Sequence, residues 1–94
     1  MGYVFEWHPG KAESNLRKHG VPFEEASAVF GDPLALLMRD PEHSLEEERY
    51  LLLGMSLRQR LLVVAFAERP PGTRIISARR ASRVEANQYR QTNR

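Results

Sequence analysis

Leu61-Leu62-Val63-Val64-Ala65-Phe66-Ala67 is apolar on both faces that a strand would present. A strand with one solvated face alternates polar and apolar residues, so this run is expected at the centre of a sheet. Downstream, Pro70-Pro71-Gly72 turns the chain, and Arg74 to Arg80 is the next strand. Upstream, Glu48 to Met55 alternates, with Arg49, Leu51, Leu53 and Met55 on one face and Tyr50 and Leu52 on the other. Leu34 to Met38 and Tyr3 to Trp7 are two further short strands. The connections between the later strands are short, which favours an antiparallel meander.

Three helices complete the pattern. Pro9 suits the first turn of a helix running to about His19, with Gly20 as a left-handed C-cap. Pro22 opens a second helix, with Phe23, Ala26, Val29 and Phe30 on one buried face, and Gly31-Asp32-Pro33 stops it. The third spans about Arg83 to Gln91, with Val84 and Gln88 on one seam and Tyr89 beside them. The order predicts an α+β fold: a single antiparallel sheet packed against two N-terminal helices and one C-terminal helix, with the helices on one face.

The 94 residues make one domain, 1–94, with no room for a second core. No apolar run approaches the ~20 residues of a membrane span. No signal peptide is read at the N-terminus, since Glu6 interrupts its only apolar patch. The absence of cysteine excludes disulfides, thiolate zinc sites and a Cys nucleophile. A cytoplasmic location is expected. No metal or other cofactor is expected either: His8, His19 and His43 are too far apart for a local ligand motif, and HExxH is absent. P-loop, GxGxxG and Ser-elbow motifs are missing too, as is the aromatic signature of an RNA-recognition sheet.

The charge of +2 hides an asymmetry. Residues 1–57 carry five Lys/Arg against ten Asp/Glu, and residues 58–94 carry nine Arg against two Glu. Arg suits bidentate phosphate contacts and base stacking better than Lys; a genomic bias toward Arg on a solvated face would give the same count. The basic residues concentrate in Ile75-Ile76-Ser77-Ala78-Arg79-Arg80-Ala81-Ser82-Arg83-Val84-Glu85, where a strand runs into a helix start. Ser82 and Glu85 have capping-box spacing. Arg side chains beside a helix N-terminus are suited to an anion, and among anions to a nucleic acid. Strict alternation puts Arg79 on one face with Ser77 and Ile75, and Arg80 on the other with Ala78 and Ile76.

Other candidates carry two readings each. Lys18-His19-Gly20 is either a cationic helix C-terminus that favours the dipole, or a general acid/base with a phosphate-binding Lys beside it. His43-Ser44 lies in an acidic loop that is either simply solvated or holds a tightly protonated His. Arg49, on an otherwise apolar strand face, either snorkels to water or points at a carboxylate or phosphate.

Taken together, the chain resembles the BrnT toxins of bacterial type II toxin–antitoxin systems, small RelE-like ribonucleases. The resemblance rests on Phe5-Glu6-Trp7, Lys11, Asn15, Lys18-His19-Gly20, Phe23-Glu24-Glu25-Ala26, Val29-Phe30 and Asp32-Pro33. It continues through Asp40-Pro41, His43-Ser44, Glu48-Arg49-Tyr50, Gly54-Met55-Ser56 and Arg60 to Val64, and ends with Ile75 to Arg79, Ala81, Glu85 and Tyr89. Two positions depart from the family pattern. His8 stands where Asp is usual, and His is a poorer helix cap by ~1 kcal/mol. Ala67 precedes Glu68-Arg69 where relatives often carry His, so no mechanism through a His in that strand applies.

The resemblance implies metal-independent RNA cleavage in which the 2′-hydroxyl attacks the adjacent phosphate, giving a cyclic phosphate and a free 5′-hydroxyl. Such a reaction needs a base, an acid and positive charge on the pentavalent phosphate. Lys18, His19, Arg49 and Arg79 are the expected catalytic residues, with Glu48 as a reserve base. Arg69, Arg80 and Arg83 are expected to bind the RNA backbone. A BrnA-like antitoxin is the implied partner, in a two-plus-two complex that contacts DNA through the antitoxin. The competing classes are a non-catalytic RNA- or ribosome-binding module and an inactive domain whose arginines grip only an acidic partner.

Overall fold

The computed structural model describes residues 4–40 and 48–93. The expectations for Tyr3, and for the loop residues from Pro41 through His43 and Ser44, lie outside the described residues. Five strands form one sheet: β1 (Phe5–Glu6), β2 (Leu36–Arg39), β3 (Arg49–Met55), β4 (Leu61–Arg69) and β5 (Gly72–Arg80), in the order β1-β5-β4-β3-β2. β2 to β5 are the expected antiparallel meander, with β4 at the centre. β1 corrects the all-antiparallel expectation: it pairs parallel to β5, Phe5 opposite Thr73. A parallel neighbour is possible because β1 is followed by two helices before the meander begins, not by a hairpin. Among the described residues, no helix is long and apolar enough to cross a membrane.

The helices are α1 (Pro9–His19), α2 (Phe23–Ala28) and α3 (Arg83–Thr92), with a 3-10 turn over Val29–Gly31. They occupy both faces, not one. Val21, Phe23, Ala26 and Val29 pack against Leu62, Val64, Ile75 and Ala78. Tyr89 packs against Leu53 and Val63, which the pleat turns the other way. The apolar character of β4 on both sides follows from this. Within α3, the expected Val84–Gln88 seam is exposed, and burial runs through Ala86 and Tyr89 instead.

Three polar contacts lock the layers. Asn15, buried on α1, donates from Nδ2 to the Ala78 and Val21 carbonyls (2.9 and 3.0 Å) and accepts from the Ala78 N–H at 3.0 Å. Its amide thus satisfies β5 where β1 has ended. The Asp32 carboxylate accepts from the Leu34 and Met55 N–H groups and from the Tyr89 hydroxyl (2.9, 2.8 and 2.7 Å). Glu25 is buried against Arg60, whose Nε donates to it at 2.9 Å, and Ser56 Oγ donates to it at 2.7 Å. Gly54 is required where the 3-10 turn crosses β3, because a Cβ there would stand 2.9 Å from Val29 Cγ1.

Candidate nucleic-acid interface

A β-bulge reorganises the basic strand. Ser77 pairs with Ala65 and Ile75 with Phe66, which leaves Ile76 as the extra residue. Ile75 therefore shares its face with Ala78, and the expected grouping of Arg79 with Ile75 is corrected. Arg79 lies opposite Val63, on the α3 face, and Arg80 lies opposite Leu62, on the face covered by α1 and α2.

At the end of β5 the chain enters α3 through a complete capping box. Ser82 Oγ accepts from the Glu85 N–H at 3.2 Å, and Glu85 Oε1 accepts from the Ser82 N–H at 2.8 Å. Glu85 also binds Arg79 twice: Nη1 donates to Oε1 at 2.8 Å and Nη2 to Oε2 at 2.9 Å. The Arg79 hydrogen bonds, opposed by burial and helped by the Ser82 N–H, hold the Glu85 carboxyl down to about 2. Arg80 and Arg83 are exposed on either side of this junction.

Lys18 and His19 end α1 in the last turn, both exposed, before Gly20 at φ 70°. The Gly20 carbonyl accepts from Arg60 Nη2 at 3.1 Å, and Arg60 leads into β4 beside Leu62, the partner of Arg80. Lys18, His19 and Arg80 thus stand at the same end of the sheet as Arg79, but on the face covered by α1 and α2, whereas Arg79 is on the α3 face. Arg49 does not join them. It pairs with Ala67, four residues along β4 from the Arg79 partner Val63. That is about 13 Å along the strand, with two strand spacings across. Arg69 lies at that far end too, opposite Gly72. Arg74 shares the row of Arg49 and Ala67 and went unnoticed in the sequence, because alternation without the bulge sets it on the face opposite Arg79. Glu48 is held by Arg39 (2.9 Å) and the Tyr50 hydroxyl (2.6 Å).

A cavity of about 490 Å³ opens beyond the 3-10 turn, lined by Phe30, Leu37, Tyr50, Leu52 and Phe66, with Asp32 and Glu68. Among the described residues its charged lining is Asp32 and Glu68, both acidic, which does not favour a phosphate.

A family model for the ribonuclease toxin BrnT of type II toxin–antitoxin systems matches residues 7–85. The chain belongs to the BrnT toxin family. A type II toxin–antitoxin family implies an antitoxin partner. The fold is similar to that of the Brucella abortus ribonuclease toxin BrnT, known from a 1.1 Å crystal structure. The two share 20% identity over 88% of this chain and 100% of that one, with a TM-score of 0.62. No curated protein matches the sequence. The BrnT match takes in Lys18, His19, Arg49, Arg69, Arg79, Arg80 and Arg83, and stops at Glu85 within the capping box.

Proposed function

We propose that this BrnT-family protein is a metal-independent endoribonuclease of RelE type that cuts RNA in the cytoplasm and so inhibits translation and growth. The observation that carries this reading is the junction of β5 and α3, where Arg79, Arg80 and Arg83 surround a capped helix start. Arg79 holds the scissile phosphate and stabilises its pentavalent state without proton bookkeeping. Lys18 and His19, at the same end of the sheet but on its other face, reach the substrate around that end and supply the phosphate contact and the acid or base for 2′-hydroxyl attack and 5′-oxygen departure. Arg80 and Arg83 flank the site along the RNA backbone. Arg49 and Arg69, at the far end, hold other phosphates of the same strand. A BrnA-like antitoxin covers the toxin in a two-plus-two complex and contacts operator DNA through its own ribbon-helix-helix part.

The test uses the purified protein with RNA and with ribosomes in EDTA. Cleavage leaving cyclic phosphate and 5′-hydroxyl ends is expected. Arg79→Ala is expected to lower cleavage ~10²–10³-fold while RNA binding persists. Intact RNA in both incubations would overturn the activity. Growth arrest on expression, relieved by the neighbouring gene, is the expected cellular counterpart.

A further inference from the structure

We infer that Glu85 is a positioning residue for the reaction, gripping Arg79 end-on so that only one edge of its guanidinium meets the substrate phosphate. This rests on the ribonuclease reading above. A capping box needs one carboxylate oxygen, and Oε1 serves it by accepting from the Ser82 N–H. The second oxygen, Oε2, is committed to Arg79 Nη2. Helix capping alone therefore does not account for the whole side chain.

The donors of Arg79 can be followed one by one. Guanidinium carries five N–H donors. Nη1 gives one to Glu85 and one to the Arg80 carbonyl at 3.3 Å, and Nη2 gives one to Glu85. The remaining two, on Nε and Nη2, lie parallel along one edge. That pair is a fork that matches two phosphate oxygens. The Arg79 side chain is 42% exposed and that of Glu85 22%, so the guanidinium is the more accessible of the pair. A phosphate approaching end-on would meet the carboxylate first and be repelled. The edge is the approach left open, and the Arg79 rotamer is held for it before substrate arrives. Because Ser82 ties the carboxylate to the first turn of α3, the guanidinium is fixed to a helix end and not to a mobile side chain.

Glu85→Gln tests this, because Gln retains the cap while its amide turns a donor toward Arg79. The expected result is a kcat lower by ~10²-fold, the scale of a catalytic group displaced by about 1 Å, with KM changed less than about threefold. Guanidinium ion is expected to restore cleavage to Arg79→Ala but not to the double variant Arg79→Ala/Glu85→Gln, since the carboxylate that docks the ion is gone. Wild-type kcat in Glu85→Gln, or equal guanidinium rescue in both backgrounds, would overturn the positioning role while leaving the ribonuclease intact. A wild-type protein that leaves RNA whole overturns the activity, and the inference with it.

Discussion

His8 shows how a single unfavourable residue is accommodated. It caps α1 by accepting from the Gly10 and Lys11 N–H groups on Nδ1, at 3.0 and 3.4 Å. The second bond is long, and Nδ1 accepts only when it carries no proton. An Asp at this position offers two charged oxygens to the same donors and suits the helix dipole. His8→Asp is therefore expected to stabilise the protein by about 0.5–1 kcal/mol, read as a shift of the urea midpoint at unchanged slope. Glu85 sets a second expectation. Its carboxyl is lowered from 4.5 to about 2 in the folded protein, so ionised Glu85 stabilises the fold above pH 4.5. That contribution is lost as pH falls toward 2, where the folded carboxyl also takes up its proton. It amounts to about 2 kcal/mol once the partly exposed Arg79 is allowed for. The stability gap between wild type and Glu85→Gln is expected to close over that window, and a gap constant with pH would contradict it.

At the scale of elements, α1 is held to the sheet less by its thin apolar seam than by one amide. Asn15 meets both backbone groups of Ala78 and the Val21 carbonyl. Removing it leaves three buried backbone groups without this partner, each worth about 1 kcal/mol or more. Asn15→Ala is expected to cost about 3 kcal/mol by chemical denaturation, far above the ~1 kcal/mol typical of a single substitution. The last helix is tied down by comparable means. Tyr89 packs on Leu53 and Val63 and donates to Asp32, and burial together with that carboxylate pushes the Tyr89 hydroxyl up to about 12. The capped start of α3 was visible in Ser82 and Glu85 because a capping box is a contact three residues long. Its buried side was not, because only the packing of α3 on the sheet turns Tyr89 inward and Val84 to solvent.

Across the whole molecule, the candidate phosphate-binding residues, with Arg74, form two groups at opposite ends of one sheet. One gathers Lys18, His19, Arg79, Arg80 and Arg83, and the other gathers Arg49, Arg69 and Arg74. A single strand of RNA spanning both would contact about four phosphates, so a tenfold rise in salt is expected to weaken binding ~10³-fold. Arg49→Ala is expected to reduce that salt slope by about 0.7, measured by titration of a fluorescent oligonucleotide at several salt concentrations. An unchanged slope would place Arg49 outside the RNA path. The meander, the central β4, the Gly20 and Ser82–Glu85 caps and the concentration of arginine after residue 57 are legible in the residues alone. Each of these is written in neighbours a few positions apart, in strand alternation, helix spacing or turn chemistry. Tertiary structure alone decided the parallel pairing of β1, the placement of α3 on the second face and the bulge at Ile76. It alone set which arginines stand together, because register between strands is settled by packing across the sheet and not along the chain.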